Sequence, residues 1–164
     1  MATAQGLQLA QAIREKFAEL KALGAGVDEA VASRAPAGRW SPKEVLSHLC
    51  GRGETGYLPM LERFLKEETP TIDIEPEKTN YTDQRAAMTF AQLLTACEAN
   101  YARIADFASE RTDAELQRKA YVPLLKESPL GEYPTLASML HGLGVYHVQM
   151  HIEHLQEILR ELAG

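Results

Sequence analysis

The chain has 164 residues and a formal net charge of −6, and 45% of its residues are apolar. This length fits one domain, spanning residues 1–164, that folds without a structural metal or a disulfide. Acidic residues are spread along the chain, and Lys and Arg form no cluster, so we expect no nucleic-acid partner.

The sequence shows none of the segments that direct a protein to a membrane or out of the cell. The first residues lack the basic and apolar regions of a signal peptide, and no stretch approaches about 20 uncharged apolar residues. We therefore expect a cytoplasmic protein with no membrane partner. Cys50 and Cys97 are far apart in sequence, and their spacing favours buried free thiols.

Two segments in the first half of the chain have strong helical patterns. Apolar residues recur at helical spacing from about Thr3 to Leu23. A second helix starts at Ser41-Pro-Lys-Glu44, which is a capping box with proline at the first helical position. Trp40 precedes this cap and can pack against the first turn. We predict that the second helix continues to about Lys66, although three glycines weaken its middle.

The second half predicts two further helices and two irregular connections. Residues 68–81 contain two prolines and little apolar periodicity, which is typical of a long crossover. A third helix follows the Thr89 capping box and extends through Phe107. Residues 112–115 form a capped helical turn, and residues 121–133 form the second connection.

The last predicted helix runs from Leu136 to about Leu162, with Thr135 as its N-cap. No segment shows a convincing strand pattern. Four long helices joined partly by a long crossover predict an all-α four-helix bundle.

Three histidines are candidates for one metal site. His147 and His151 lie one turn apart and about 40° from each other around the last helix, so both imidazoles can reach one ion. His48 lies on the apolar side of helix two, where an unpaired imidazole would be costly. Bringing His48 against His147 and His151 would create a three-nitrogen site for a divalent metal ion.

A simpler interpretation competes with this one. Histidine pairs at this spacing are frequent on helices without a metal, and the sequence cannot establish that His48 meets the pair. His154 and His141 are better explained as surface or hydrogen-bonded residues. Cys50 lies about 200° from His48 around its helix, so we do not assign it as a ligand.

The order and spacing of these motifs resemble the DinB-like (YfiT-like) metalloprotein superfamily. The resemblance depends on Trp40-Ser-Pro-Lys-Glu-Val-Leu-Ser-His48-Leu and on the closing His147-Val-Gln-Met-His151-Ile-Glu-His154-Leu. It implies a four-helix bundle with a crossover, ligands at His48, His147 and His151 for zinc, nickel or another divalent ion, and a homodimer. Many members have glutamine where this chain has His154.

The resemblance leaves three functions open. The first is a transferase that joins a low-molecular-weight thiol to a small electrophile, which the superfamily favours. The second is a metal-dependent hydrolase that uses bound hydroxide, and the third is a non-catalytic stress protein that binds a metal or ligand. Each would take a small molecule as its partner.

The sequence says little about catalytic residues. A zinc-protease motif is excluded because Val148, not glutamate, follows His147. Glu54, Tyr57 and Tyr101 are weak candidates for the rim of a pocket. Glu54 is better explained as a solvated charge, and both tyrosines as core residues with a solvated hydroxyl.

Overall fold

Helices dominate residues 2–164, the part of the chain that the computed structural model describes. The bounds are α1 (Ala4–Gly24), α2 (Glu29–Ala32), α3 (Pro42–Cys50), α4 (Leu58–Lys66), α5 (Asp83–Ala87), α6 (Phe90–Ser109), α7 (Asp113–Leu116), α8 (Leu136–His141) and α9 (His147–Ala163). A 3₁₀ turn spans Pro123–Leu125, and a π-helical turn, Gly142–Tyr146, joins α8 to α9. Within residues 2–164 there is no strand, and isolated bridges join Thr71 to Tyr121 and Lys119 to Thr135.

The predicted all-α four-helix bundle is confirmed. Helix α1 packs along α6, α3 packs against α6 and α9, and the α8–α9 segment returns against α1. Their apolar faces form one core, in which Ile13, Leu49, Leu93 and Leu155 are fully buried. Apolar burial on these four faces is the main stabilising contribution to the bundle.

The predicted helix starts are also confirmed, because each capping residue makes its expected hydrogen bond. Thr3, which the sequence analysis did not assign as a cap, is the N-cap of α1: its Oγ1 accepts from the Gly6 backbone N–H at 3.1 Å. Ser41 and Glu44 form a reciprocal capping box, as do Thr89 with Gln92 and Thr112 with Glu115. These bonds satisfy backbone donors that a helix end otherwise leaves unpaired.

The single second helix predicted up to Lys66 is wrong. Helix α3 ends at Cys50, and a glycine turn, residues 51–57, separates it from α4. Gly51, Gly53 and Gly56 have positive φ values of 77°, 64° and 60°. A β-carbon at residue 56 would lie 2.5 Å from the Cys50 carbonyl oxygen, so the turn requires glycine there. The three glycines therefore end α3 within one turn after His48.

The predicted connections are irregular as expected. Residues 68–81 contain no helix, and this crossover runs past the end of α3 before α5 begins. Residues 121–133 include only the 3₁₀ turn. None of the helices within residues 2–164 has the length and apolar character needed to cross a membrane.

The last helix covers the predicted range but is not a uniform α-helix. The π-helical turn at Gly142–Tyr146 inserts an extra residue between α8 and α9. Within it, Gly144 is buried against α1. This irregularity sets the direction in which the α9 histidines point relative to α8.

Candidate metal centre

His48 lies in the last turn of α3 and is held by the crossover. Its Nδ1 lies 2.7 Å from the Lys78 carbonyl oxygen, which can only accept, so Nδ1 carries the proton and donates. The other ring nitrogen, Nε2, lies 3.0 Å from Nε2 of His147. The crossover thus fixes the tautomer that leaves Nε2 of His48 free to accept.

The structure brings together the three histidines that the sequence singled out. The ring centroids of His48 and His147 lie 5.0 Å apart, and each of these rings is 4.6 Å from that of His151. One ring nitrogen from each residue lies within 4.8 Å of the other two. The prediction that His48 meets the α9 pair is confirmed.

Two nitrogens of this triad are buried without a hydrogen-bond partner in residues 2–164. They are Nδ1 of His147 and Nε2 of His151. An unpaired buried polar atom costs about 1–3 kcal/mol, so such atoms are rare without a ligand. Three imidazoles with free lone pairs fit a divalent ion with metal–nitrogen bonds of about 2.0–2.1 Å. The residues present therefore suit the metal that the resemblance implies.

The triad also has the protonation state that a metal requires. Burial, with a smaller contribution from His48, lowers the pKa of His147 to about 4. Burial, followed by His147 and His48, lowers the pKa of His151 to about 3. Burial also lowers the pKa of His48. All three rings are neutral at pH 7, which is the form that binds metal.

Trp40 covers the triad, a role that the sequence did not reveal. Its ring is stacked on His151 with centroids 6.1 Å apart and an interplanar angle of 10°. The centroid of Trp40 also lies 5.1 Å from that of His48. The indole therefore shields two of the imidazoles from water. The available signal was the position of Trp40, which lies just before the Ser41 cap and eight residues before His48.

His154 supports the triad and is not a member of it. Its Nδ1 lies 3.3 Å from Nδ1 of His151. His154 is half-buried, and its ring packs against Trp40 at 5.5 Å. His141 is exposed and lies outside the triad.

Arg85 on α5 holds the crossover and the glycine turn against the end of α3. The buried guanidinium donates to the Ser47 carbonyl and hydroxyl oxygens, both at 3.0 Å. It also donates to the carbonyls of Asn80 at 3.3 Å and Gly53 at 3.1 Å. Ser47 is the neighbour of His48, and Asn80 lies two residues after Lys78. Nothing in the pattern around Arg85 distinguished it from a surface residue.

The sequence-predicted rim residues have different environments. Tyr57 lines the cavity at the triad and donates to the His48 carbonyl at 2.5 Å. Burial raises the pKa of Tyr57 to about 12. Tyr101 is a core residue that donates to the Leu49 carbonyl at 3.1 Å. Glu54 lies on the exposed glycine turn, so only Tyr57 of the three lies at the site.

Both cysteines are buried free thiols, as predicted. Asn100 Nδ2 donates to Cys50 Sγ at 3.3 Å. A hydrogen bond from Cys97 lowers the pKa of the Cys50 thiol to about 7. Neither thiol lines the cavity that contains the histidines, so neither is a ligand there.

The triad lies in the wall of a cavity of about 1120 Å³. The crossover contributes the largest part of the remaining wall, and the second connection and the π-helical turn add to it. This volume is large enough for a small organic molecule, whose pockets commonly measure about 300–1,000 Å³. A molecule in the cavity would have direct access to the three imidazoles.

Comparisons with known proteins agree with this fold. YfiT from Bacillus subtilis, whose structure is described as a probable metal-dependent hydrolase with an unusual four-helix bundle topology, superposes with a TM-score of 0.72. The two share 24% sequence identity, and the match covers 99% of this chain and 90% of that one. No protein with a curated description matches the chain significantly. The DinB superfamily model matches residues 10–155, so the chain belongs to the DinB superfamily.

Proposed function

We propose that His48, His147 and His151 bind one divalent metal ion and that the chain is a metal-dependent hydrolase of small molecules. The observation that carries this proposal is that one ring nitrogen from each of His48, His147 and His151 lies within 4.8 Å of the other two, with Nε2 of His151 buried and unpaired. Imidazole donors suit zinc and nickel, which are the ions we propose.

Three protein ligands leave coordination positions free, the arrangement of catalytic rather than structural zinc sites. When bound, such an ion acts as a Lewis acid and lowers the pKa of a water molecule toward about 7. The protein residues orient the donors. The Lys78 carbonyl oxygen accepts a hydrogen bond from Nδ1 of His48, and His154 contacts Nδ1 of His151. Trp40 packs against the rings of His48 and His151 and shields them from water.

Two observations support the choice of hydrolysis. The structural neighbour from Bacillus subtilis is described as a probable metal-dependent hydrolase. Among the described residues, neither Cys50 nor Cys97 lines the cavity, and the one serine of its lining, Ser128, lies on the second connection and not on the helices that carry the triad. Water is then the nucleophile that needs no further co-substrate.

The second candidate is the thiol transferase favoured by the resemblance. A cavity of about 1120 Å³ lies near the upper end of the usual range for ligand pockets, so it has room for a small thiol beside a small electrophile. Since neither cysteine of the chain lines the cavity, the thiol would be a separate low-molecular-weight cofactor. The three neutral imidazoles would then hold a metal ion that stabilises the thiolate form of this cofactor.

The first experiment measures metal content per chain by elemental mass spectrometry after reconstitution with zinc or nickel. We expect about one ion per chain in the wild type and in the control His141→Ala, and none in His48→Ala or His151→Ala with helical content retained. Full occupancy in either triad variant would contradict the assignment.

An activity screen with and without added thiol then separates the functions. Ester or amide cleavage that needs metal but no thiol supports the hydrolase. Joint consumption of thiol and electrophile would instead identify the transferase. Saturable ligand binding without turnover would identify a binding protein.

Assembly and location remain predictions. The homodimer implied by the resemblance is tested by sedimentation of the metal-loaded protein. A cytoplasmic location is tested by fractionation of the source cells.

A further inference from the structure

We propose that the substrate is an uncharged molecule with an apolar body of several carbon atoms, which the cavity wall binds while the polar reacting group lies at the histidine triad. This inference rests on the proposed function and adds the chemical class of the substrate. It is carried by the side chains that line the cavity beyond the histidines.

The chain's exposed apolar side chains are concentrated at this cavity. Five large apolar residues are strongly exposed in the described part of the chain, and three of them line the cavity: Leu124, Tyr146 and Met150, at 52%, 70% and 45% exposure. Exposed apolar residues scattered singly need no explanation, but a group around one cavity indicates a binding surface.

This apolar surface is continuous with the metal ligands. Met150 lies three residues after His147, about 60° from it around α9, so it flanks the histidine face and lines the same cavity. Half-buried apolar residues from four other segments extend the wall: Met60, Ile74, Leu125 and Leu143. A ligand that reaches the imidazoles therefore contacts apolar side chains at the same time.

The charged residues of the cavity give no preference for a charged ligand. Three cations and three carboxylates line it, and their formal charges cancel: Arg39, Arg52, Lys78, Asp73, Glu75 and Glu77. Arg39 is paired with Glu157 and Glu161, and Lys78 is paired with Glu75. Most of this positive charge is therefore already neutralised by carboxylates and would add little to the binding of an anionic substrate.

The first test uses the metal-free protein and the neutral fluorophore N-phenyl-1-naphthylamine. We expect one saturable site per chain. Leu124→Asn should raise the dissociation constant about fivefold, because it removes apolar contact area at nearly constant side-chain size. Leu7→Asn is the matched control, since Leu7 is 53% exposed but lies outside the cavity, and it should leave binding unchanged.

The second test determines whether a ligand whose polar end is held at the triad also contacts the apolar wall. Alkyl hydroxamates from two to eight carbons are titrated into the metal-loaded protein, where the hydroxamate group serves as the polar end. Affinity should rise about two- to fourfold per methylene in the wild type and in Leu7→Asn, and less steeply in Leu124→Asn. The shortest hydroxamate should bind all three equally.

Several outcomes would overturn the inference. Absence of saturable fluorophore binding, or equal weakening by the two asparagine variants, would show that the cavity has no specific apolar site. Equal affinity for all hydroxamates would show that the wall does not contact a ligand held at the triad. A dimer that excludes the fluorophore and dissociates in Leu124→Asn would show that a second copy covers this surface.

These outcomes differ from failure of the proposed function. A protein that takes up no metal but binds the fluorophore through Leu124 would lose the enzyme proposal and keep the apolar site. A protein that takes up metal at the triad but shows no dependence on chain length would keep the proposed metal site and lose the apolar site.

Discussion

Gly144 of the π-helical turn lies so close to Ile13 of α1 that a β-carbon at residue 144 would be 2.6 Å from Cγ1 of Ile13. The absence of a side chain therefore lets the irregular turn press against the first helix. Since His147 begins α9 directly after this turn, the contact sets the position from which both α9 ligands project.

We expect Gly144→Ala to lower the free energy of unfolding by about 1–3 kcal/mol, because the added methyl group overpacks the contact with Ile13. Metal affinity should fall as well, since the turn shifts relative to α3. Urea denaturation and metal titration measure the two effects. Gly26→Ala is the control, because the nearest atom to a β-carbon there is 3.7 Å away. Similar losses in both variants would contradict this account.

We expect His151→Leu to abolish metal binding while leaving the metal-free protein as stable as the wild type, or more stable by about 1 kcal/mol. The substitution removes the buried Nε2 that lacks a partner and replaces the imidazole with an apolar side chain of similar size. Thermal unfolding in a chelator measures this. A large loss of stability would show that the imidazole makes an important structural contact.

Acidification should destabilise the metal-free protein. The unfolded state protonates its histidines near pH 6.5, whereas folded His147 and His151 protonate only near pH 4 and pH 3. Between these values the unfolded state binds more protons, so stability falls as the pH decreases from 6.5 toward 4. Each histidine contributes about 1.4 kcal/mol per pH unit over about two units, so we expect urea denaturation to show a loss on the order of 5 kcal/mol across this window. A His147→Leu/His151→Leu variant should show a flatter profile, and an equally steep one would assign the effect to other groups.

We expect Arg85→Met to destabilise the protein by about 2–4 kcal/mol, because three backbone carbonyls lose a buried charged donor. It should also weaken metal binding, since the crossover that carries Lys78 is no longer held beside His48. Arg52→Met, on the exposed glycine turn, is the control and should change neither property. Unfolding and metal titration test both effects. Unchanged metal affinity in a folded Arg85→Met protein would limit Arg85 to a structural role.

Much of the architecture was predictable because it depends on local signals. The capping residues Ser41, Thr89, Thr112 and Thr135 act within one helical turn, so short sequence patterns identify where those helices start. Apolar periodicity identified the faces that form the core. The i,i+4 spacing of His147 and His151 placed both rings on one face, because helix geometry alone fixes that relationship.

The break after Cys50 was less predictable, although its glycines were visible. Glycine inside a helix costs only about 1 kcal/mol, so each one alone is compatible with a continuous helix. The structure ends α3 there because Gly56 must approach the Cys50 carbonyl, and that approach depends on how α4 and α6 pack.

The sequence by itself determined the helical class, the helix starts and the pairing of the two α9 histidines, all of which depend on residues close together in the chain. Only the tertiary structure decided that His48 meets His147, that Lys78 fixes its tautomer and that Trp40 covers the triad. These contacts join residues up to 99 positions apart. They depend on the packing of α3, α9 and the crossover, which no local pattern encodes.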